Sequence, residues 1–330
     1  MHSKLWRMAG WCLSAMLGIA VGSASAQPTF ELRPRWDSET PTRYRVDEEM
    51  TQEISGEAST TLFWKRALEY TERVVERDRE TGVTTVERTY DSVEVAVEGD
   101  GIDDARYDSN DPRTADAKSH PLVGPFAALE GQAVRFTVDD EGNVLEASGA
   151  DAAWGAMLSS LAGGLGKGSG LGQALSGGLP SEEALRRQIE GGLRALPEDP
   201  VRVRDTWEQR TGHATPLGTV TSELSHRLGG FRGRGEGRLA RIETSGRLVS
   251  GGGDESGLGN LLQGLAGVSV ALGETSIRGE SLFDVAHGQF VRQEMVVQTE
   301  WVTQLGEGME ELGLENRQRI TQRSVLERLD

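Results

Sequence analysis

Cysteine is almost missing from this 330-residue chain: Cys12 is the only one, and it falls in a leading stretch that reads as removable. What remains can form no disulfide and no thiolate metal site. Histidine is scarce as well. Beyond His2 there are His120, His213, His226 and His287, and none of them forms the His-Glu-x-x-His pattern of a zinc-protease helix. The Gly-x-Ser-x-Gly elbow of a serine hydrolase is absent. Gly166-Lys167 fails as a phosphate loop, because Leu161 stands where the first glycine belongs and Gly168 where a hydroxyl must meet the metal. Paired carboxylates for glycoside chemistry are set by the fold and cannot be read from abundance alone. No catalytic, cofactor or metal site is therefore assigned. Basic residues are also short, 35 against 52 acidic ones, for a net charge of −17. Such a surface repels phosphate backbones and anionic headgroups. The one basic patch, Arg232 to Arg238, is flanked only by Phe231 and reads as a Gly-rich hairpin tip, so no nucleic-acid partner is expected.

Long apolar runs are missing too, apart from Trp11 to Val21. That run is too short for a permanent span. Lys4 and Arg7 precede it and Ala24-Ser25-Ala26 follows, which is the order of a signal peptide cleaved after residue 26. The expectation is a bacterial exported protein, periplasmic or extracellular, with no transmembrane segment after processing. Losing Lys4 and Arg7 takes its charge from −17 to −19.

Most of the rest alternates with period two. The organising stretch is Val134 to Leu145, with Val134, Phe136 and Val138 on one face, an acidic Gly-containing turn, and a return strand. Ser281 to Val291 repeats its grammar of Phe-x-Val, polar turn with glycine, and outgoing strand. The fold class is mainly β (β-rich α+β): long curved antiparallel strands in two related halves, with helical and Gly-rich insertions. The division is signal peptide 1–26, linker 27–41, first β half 42–150, helical and Gly-rich insertion 151–200, and second β half 201–330. In the first half, Leu62, Trp64, Leu68, Tyr70 and Val74 are in phase on a long strand. On the return strand, Val86 and Tyr90 are out of phase with Val93, Val95 and Val97, which calls for a bulge near Asp91-Ser92. Gly99 to Lys118 reads as a solvated acidic loop, with aspartates too irregularly spaced for a calcium loop. In the insertion, Ser181-Glu182-Glu183 opens a helix that Gly191-Gly192 weakens and Pro197 stops. A strand resumes at Val201 to Glu208, and Ile320 to Leu329 closes the chain as a strand.

The order of these features resembles a family of secreted bacterial proteins of unknown function, of planctomycete type. The resemblance runs through Tyr44-Arg45-Val46, Tyr107-Asp108-Ser109, Phe136 to Asp139, Gly142-Asn143-Val144, and Leu196-Pro197 to Asp205-Thr206-Trp207. Where such proteins show Gly-Asp-x-Trp, Arg204 stands here in place of the glycine. The family implies no catalytic residues. Long meandering strands with helices also look like the half-barrel of outer-membrane lipoprotein carriers, whose concave face shelters acyl chains.

The resulting reading is an exported, non-enzymatic protein that binds an apolar or lipid ligand in a concave β-sheet cleft. Its ligand-cleft or lid candidates are Trp64, Tyr70, Phe136, Leu158, Leu161, Leu261, Leu265, Phe283 and Trp301. The alternative is a cell-envelope interaction or structural module that meets a protein partner.

Overall fold

In the computed structural model, the residues described are 28–36, 40–55, 59–149, 182–193, 195–215, 218–250, 269–304 and 316–329. Twelve strands among them form a single antiparallel sheet. Its first half contains β1 (Thr42–Ser55), β2 (Thr60–Arg77), β3 (Thr84–Gly99), β4 (Ala105–Asp108), β5 (Ala133–Val138) and β6 (Val144–Ser148). The second contains β7 (Thr206–Thr215), β8 (Gly218–Arg232), β9 (Leu239–Ser250), β10 (Ser269–Asp284), β11 (Gln289–Gln304) and β12 (Asn316–Leu329). The spatial order is β6-β5-β3-β2-β1-β12-β11-β10-β9-β8-β7, with β4 also on β3. The two halves meet where β1 pairs with β12, from Arg43 opposite Leu329 to Ser55 opposite Arg317, without a slip.

The strand phases follow the sequence closely. On β3 the register jumps from Glu69 opposite Ser92 to Tyr70 opposite Tyr90, so Asp91 is the extra residue, as the phase change requires. Two segments differ from expectation. Gly99 to Lys118 is not simply loop: it holds β4 and begins a 3₁₀ helix at Pro112–Ser119, started by the Asp111 carboxylate accepting from the Arg113 amide. The helix agrees with expectation: α2 (Glu182–Leu193) runs through the double glycine and stops short of Pro197. Val201 to Glu208, in contrast, is not one continuous strand, because only Val201 forms a bridge and β7 begins at Thr206.

The interruption is a turn centred on Arg204, whose φ is 80°, the only positive value at a non-glycine among the described residues. It is locked by Arg204 N donating to Leu228 O at 2.7 Å and by Arg202 N donating to the Asp205 carboxylate at 2.8 Å. A left-handed backbone costs a side-chain-bearing residue about 1–2 kcal/mol. Glycine avoids this, at an unfolded-state penalty of roughly 0.5–1 kcal/mol. Arg204→Gly is therefore expected to stabilise the protein by about 0.5–1 kcal/mol, measured by urea unfolding. Arg204→Ala, as the control, should gain nothing.

The sheet is rolled. Eleven strands laid flat would separate β6 from β7 by about 48 Å. Yet α2, a 12-residue helix about 18 Å long, touches both edges. Arg186 Nη1 donates to Val144 O of β6 at 3.3 Å, and Gln209 Nε2 of β7 donates to Gly191 O at 2.9 Å. The outward face carries rows of alternating charge: Glu69, Arg45, Glu327 and Arg292 stand opposite one another across four strands. Arg45 Nη1 meets Glu69 at 3.0 Å, and Arg292 pairs with Glu327. Exposed pairs add little stability each, but they mark this face as the solvated one.

The inward face holds two cores. One gathers Val86, Val93, Val95, Val97, Tyr107, Val134 and Phe136 under α1 (Gly124–Ala127) and Ile189 of α2. The other gathers Leu228, Ala240, Ile242 and Phe283 with Leu32, Leu196 and Val201. Residues 28–36, within the segment read as a linker, cross one end of the roll as a strap. Phe30 and Val201 exchange backbone hydrogen bonds at 2.7 and 2.9 Å, and Leu32 is 1% exposed. Trp36 packs against the first core. Both phenylalanine hairpins present their tips to consecutive strap residues. Gly142 lies against Pro34, while Gly288 accepts from the Arg35 amide at 3.0 Å. In each tip an aspartate, Asp139 or Asp284, accepts two backbone amides of its own turn.

Candidate ligand-binding face

Alternation places Val46, Glu48, Met50, Gln52 and Ile54 of β1 on the inward face, and the register carries that face around the roll. Met50 stands opposite Trp64 and Gln322; Gln322 stands opposite Val297, and Val297 opposite Ile277. Nearer the far end, Ile54 faces Gln318, which faces Trp301, which faces Leu272. The face divides into two zones. Toward the strap it is closed, with Tyr70, Phe136 and Phe283 at 6%, 2% and 1% exposure. Away from the strap, Met50, Leu62, Trp64, Val297, Trp301 and Leu272 are only half-buried, beside the buried Val97, Ile277 and Thr299.

The candidates read from the sequence thus separate. Trp64 and Trp301 are half-buried, and Trp64 also packs against the first core. Tyr70 is buried on the same face, and Phe136 and Phe283 belong to the two cores. Leu158, Leu161, Leu261 and Leu265 fall outside the described residues.

Sequence reasoning passed over two charged pairs on this apolar face. Glu48 and Arg66 are cross-strand partners at the boundary of the zones, 14% and 18% exposed. Arg66 Nη2 donates to the Glu48 carboxylate, and the guanidinium lies 5.1 Å from the Trp64 ring and 4.9 Å from the Phe126 ring. Its Nε is the one buried side-chain nitrogen or oxygen among the described residues that lacks a hydrogen-bond partner. Closer to the strap, Arg88 donates to Glu72 through Nε at 3.0 Å and Nη2 at 2.6 Å while covering the Tyr70 ring at 4.5 Å. Burial pushes the Tyr44 and Tyr70 hydroxyls far up, so both stay protonated. The signal was present in the sequence: Glu48 between Val46 and Met50, and Arg66 between Trp64 and Leu68, are opposite charges in phase with apolar neighbours.

His226 is the third polar group inside. It is 1% exposed and stacks on Trp207 with ring centres 5.6 Å apart. Gln209 spends its amide protons on Gly191 O at 2.9 Å and Thr211 Oγ1 at 3.2 Å, so its oxygen is left to accept. That assigns the imidazole proton to Nε2, donating to Gln209 Oε1 at 2.9 Å, and leaves Nδ1 to accept from Thr244 Oγ1 at 2.9 Å. Desolvation holds this histidine down at about 4, against a weaker upward pull from Glu208. The chain from Thr244 through His226 and Gln209 to Gly191 ties β9, β8 and β7 to α2.

At the strap end a cavity of about 1220 Å³ opens between the strap, the β5–β6 tip and the start of β7. Arg33, Glu141, Glu198, Asp199, Arg204 and Arg210 among its lining residues make it a seam of mixed charge. No cluster of three or more His, Cys, Asp or Glu suited to a metal occurs among the described residues. No helix there is long and apolar enough to cross a membrane.

Residues 81–231 match the profile of DUF6263, a family of unknown function. The matched stretch contains both sheet edges, β6 and β7, and the helix that ties them. No curated protein matches the sequence. Among solved structures, one described as "Lipid-protein interactions in lipovitellin" aligns with a TM-score of 0.44 at 9% identity. The alignment covers 91% of this chain and 26% of that one, so the chain spans about a quarter of that structure's length.

Proposed function

We propose that this is an exported, non-enzymatic binding protein of the bacterial envelope whose rolled sheet takes up an apolar, lipid-like ligand on its inward face. The observation that carries the reading is the two-zone face. One end is packed shut by the strap and cores, while Met50, Leu62, Trp64, Val297 and Trp301 stay half-buried at the other. A concave apolar wall with few polar groups is the usual form of a small-molecule site. The charged outward face supports a role in water rather than in the bilayer core. Export rests on the leading sequence, and the processed protein is expected to begin at Gln27.

Native mass spectrometry of the protein purified from its envelope without detergent, followed by organic extraction, tests both parts. The expected result is a mass starting at Gln27 plus a discrete adduct that extracts as lipid. A well-folded protein that carries nothing and binds no acyl probe would overturn the ligand reading and favour an interaction module with a protein partner. Trp301→Ala should weaken capture of an acyl probe by roughly tenfold or more, since a buried tryptophan contributes well over 1 kcal/mol. Fluorescence titration measures this.

A further inference from the structure

Resting on that reading, we infer that Arg66 receives the neutral carbonyl of an acyl ester or amide, placing the polar end of the ligand at the boundary between the packed and half-buried zones. Arg66 is a poor residue for mere packing. Its guanidinium has five N–H donors, one hydrogen bond to Glu48, and a buried Nε without an acceptor. Buried donors are nearly always satisfied, and this one has no acceptor among the protein groups around it. The guanidinium plane is already fixed by Trp64 and Phe126, so little rotamer freedom remains to be lost when an acceptor arrives. Arg66 also stands one inward-facing position from Trp64, hence directly beside the half-buried zone.

The charge of the head follows from Glu48. Its carboxylate already neutralises Arg66, and the chain as a whole carries −17. A second carboxylate would meet no net attraction and would crowd the first, whereas an uncharged carbonyl accepts a hydrogen bond without that repulsion. The geometry therefore points to an esterified or amidated acyl chain in preference to a free fatty acid.

The test compares cis-parinaric acid with its methyl ester in fluorescence titrations of the processed, delipidated protein. The wild type is expected to bind the ester several-fold more tightly than the acid. Arg66→Met combined with Glu48→Gln removes both charges together, so no lone ion is left buried, and should weaken ester binding about tenfold. Arg66→Lys keeps the charge but loses Nε–H and should weaken the ester by a similar factor; it provides the answer if the double variant does not fold. Equal ester affinity in the wild type and in a folded variant overturns the role of Arg66, as does tighter binding of the acid by the wild type. Failure of the wild type to bind either probe overturns the underlying binding reading instead.

Discussion

Lowering the pH from 7 to 4.5 is expected to remove about 2–3 kcal/mol of stability through His226 alone. Folding holds this imidazole at about 4, below its ordinary value of 6.5. The unfolded chain therefore takes up the proton first, and the contribution is complete above pH 6.5 and lost as the pH falls toward 4. Each unit of that gap is worth about 1.4 kcal/mol. Carboxylates held low by hydrogen bonds from arginine, such as Glu87 and Glu294, release their stabilisation only at lower pH. The interval from pH 6.5 to 5 therefore isolates the histidine. Urea unfolding across that interval should show a falling midpoint in the wild type. His226→Gln should be less stable at pH 7 but nearly flat, and an equal slope in both proteins would refute the assignment.

The second large effect belongs to the strap. Leu32 is 1% exposed among Leu196, Val201, Leu228 and Phe283, so Leu32→Ala should cost about 3 kcal/mol, the middle of the range for a buried leucine that leaves a cavity. The loss should be accompanied by faster hydrogen exchange at the amides of Phe30 and Val201, which pair with each other. A change below about 1 kcal/mol would show that the strap is dispensable to the fold.

Period-two alternation made the strands legible, including the bulge at Asp91, because inward and outward faces see such different solvents. The strap was not legible. Pro28, Pro34 and the charges of Glu31, Arg33 and Arg35 dominate its composition and outweigh the short alternation of Phe30, Leu32 and Trp36. The helical segment after Asp111 was hidden by its acidic character, since Asp111 there serves as a cap rather than as one more solvated charge. The ring closure joining β6 to β7 was beyond reach of any local pattern, because it depends on one helix meeting two edges. On the candidate face, the tryptophans were readable as apolar positions in phase. Arg66 and Glu48 were passed over, because pattern reading assigns charges outward, although each stands in phase with its apolar neighbours. The positive φ at Arg204 sits where the resemblance predicts a glycine, so sequence and backbone agree on what that corner requires even though the residue does not.

The pairing of β1 with β12 has a kinetic consequence. Ser55 and Arg317, hydrogen-bonded neighbours, are 262 residues apart along the chain. A chain that emerges amino end first can zip β1, β2 and β3 into a meander by nearest-neighbour hairpins, but one flank of β1 then waits for its mate until nearly everything else has arrived. Contacts of such long span slow folding, and an unpaired strand flank is the kind of surface that neighbouring molecules extend into aggregates. The final strand thus acts as a keystone, closing the flank of β1 that would otherwise stay open.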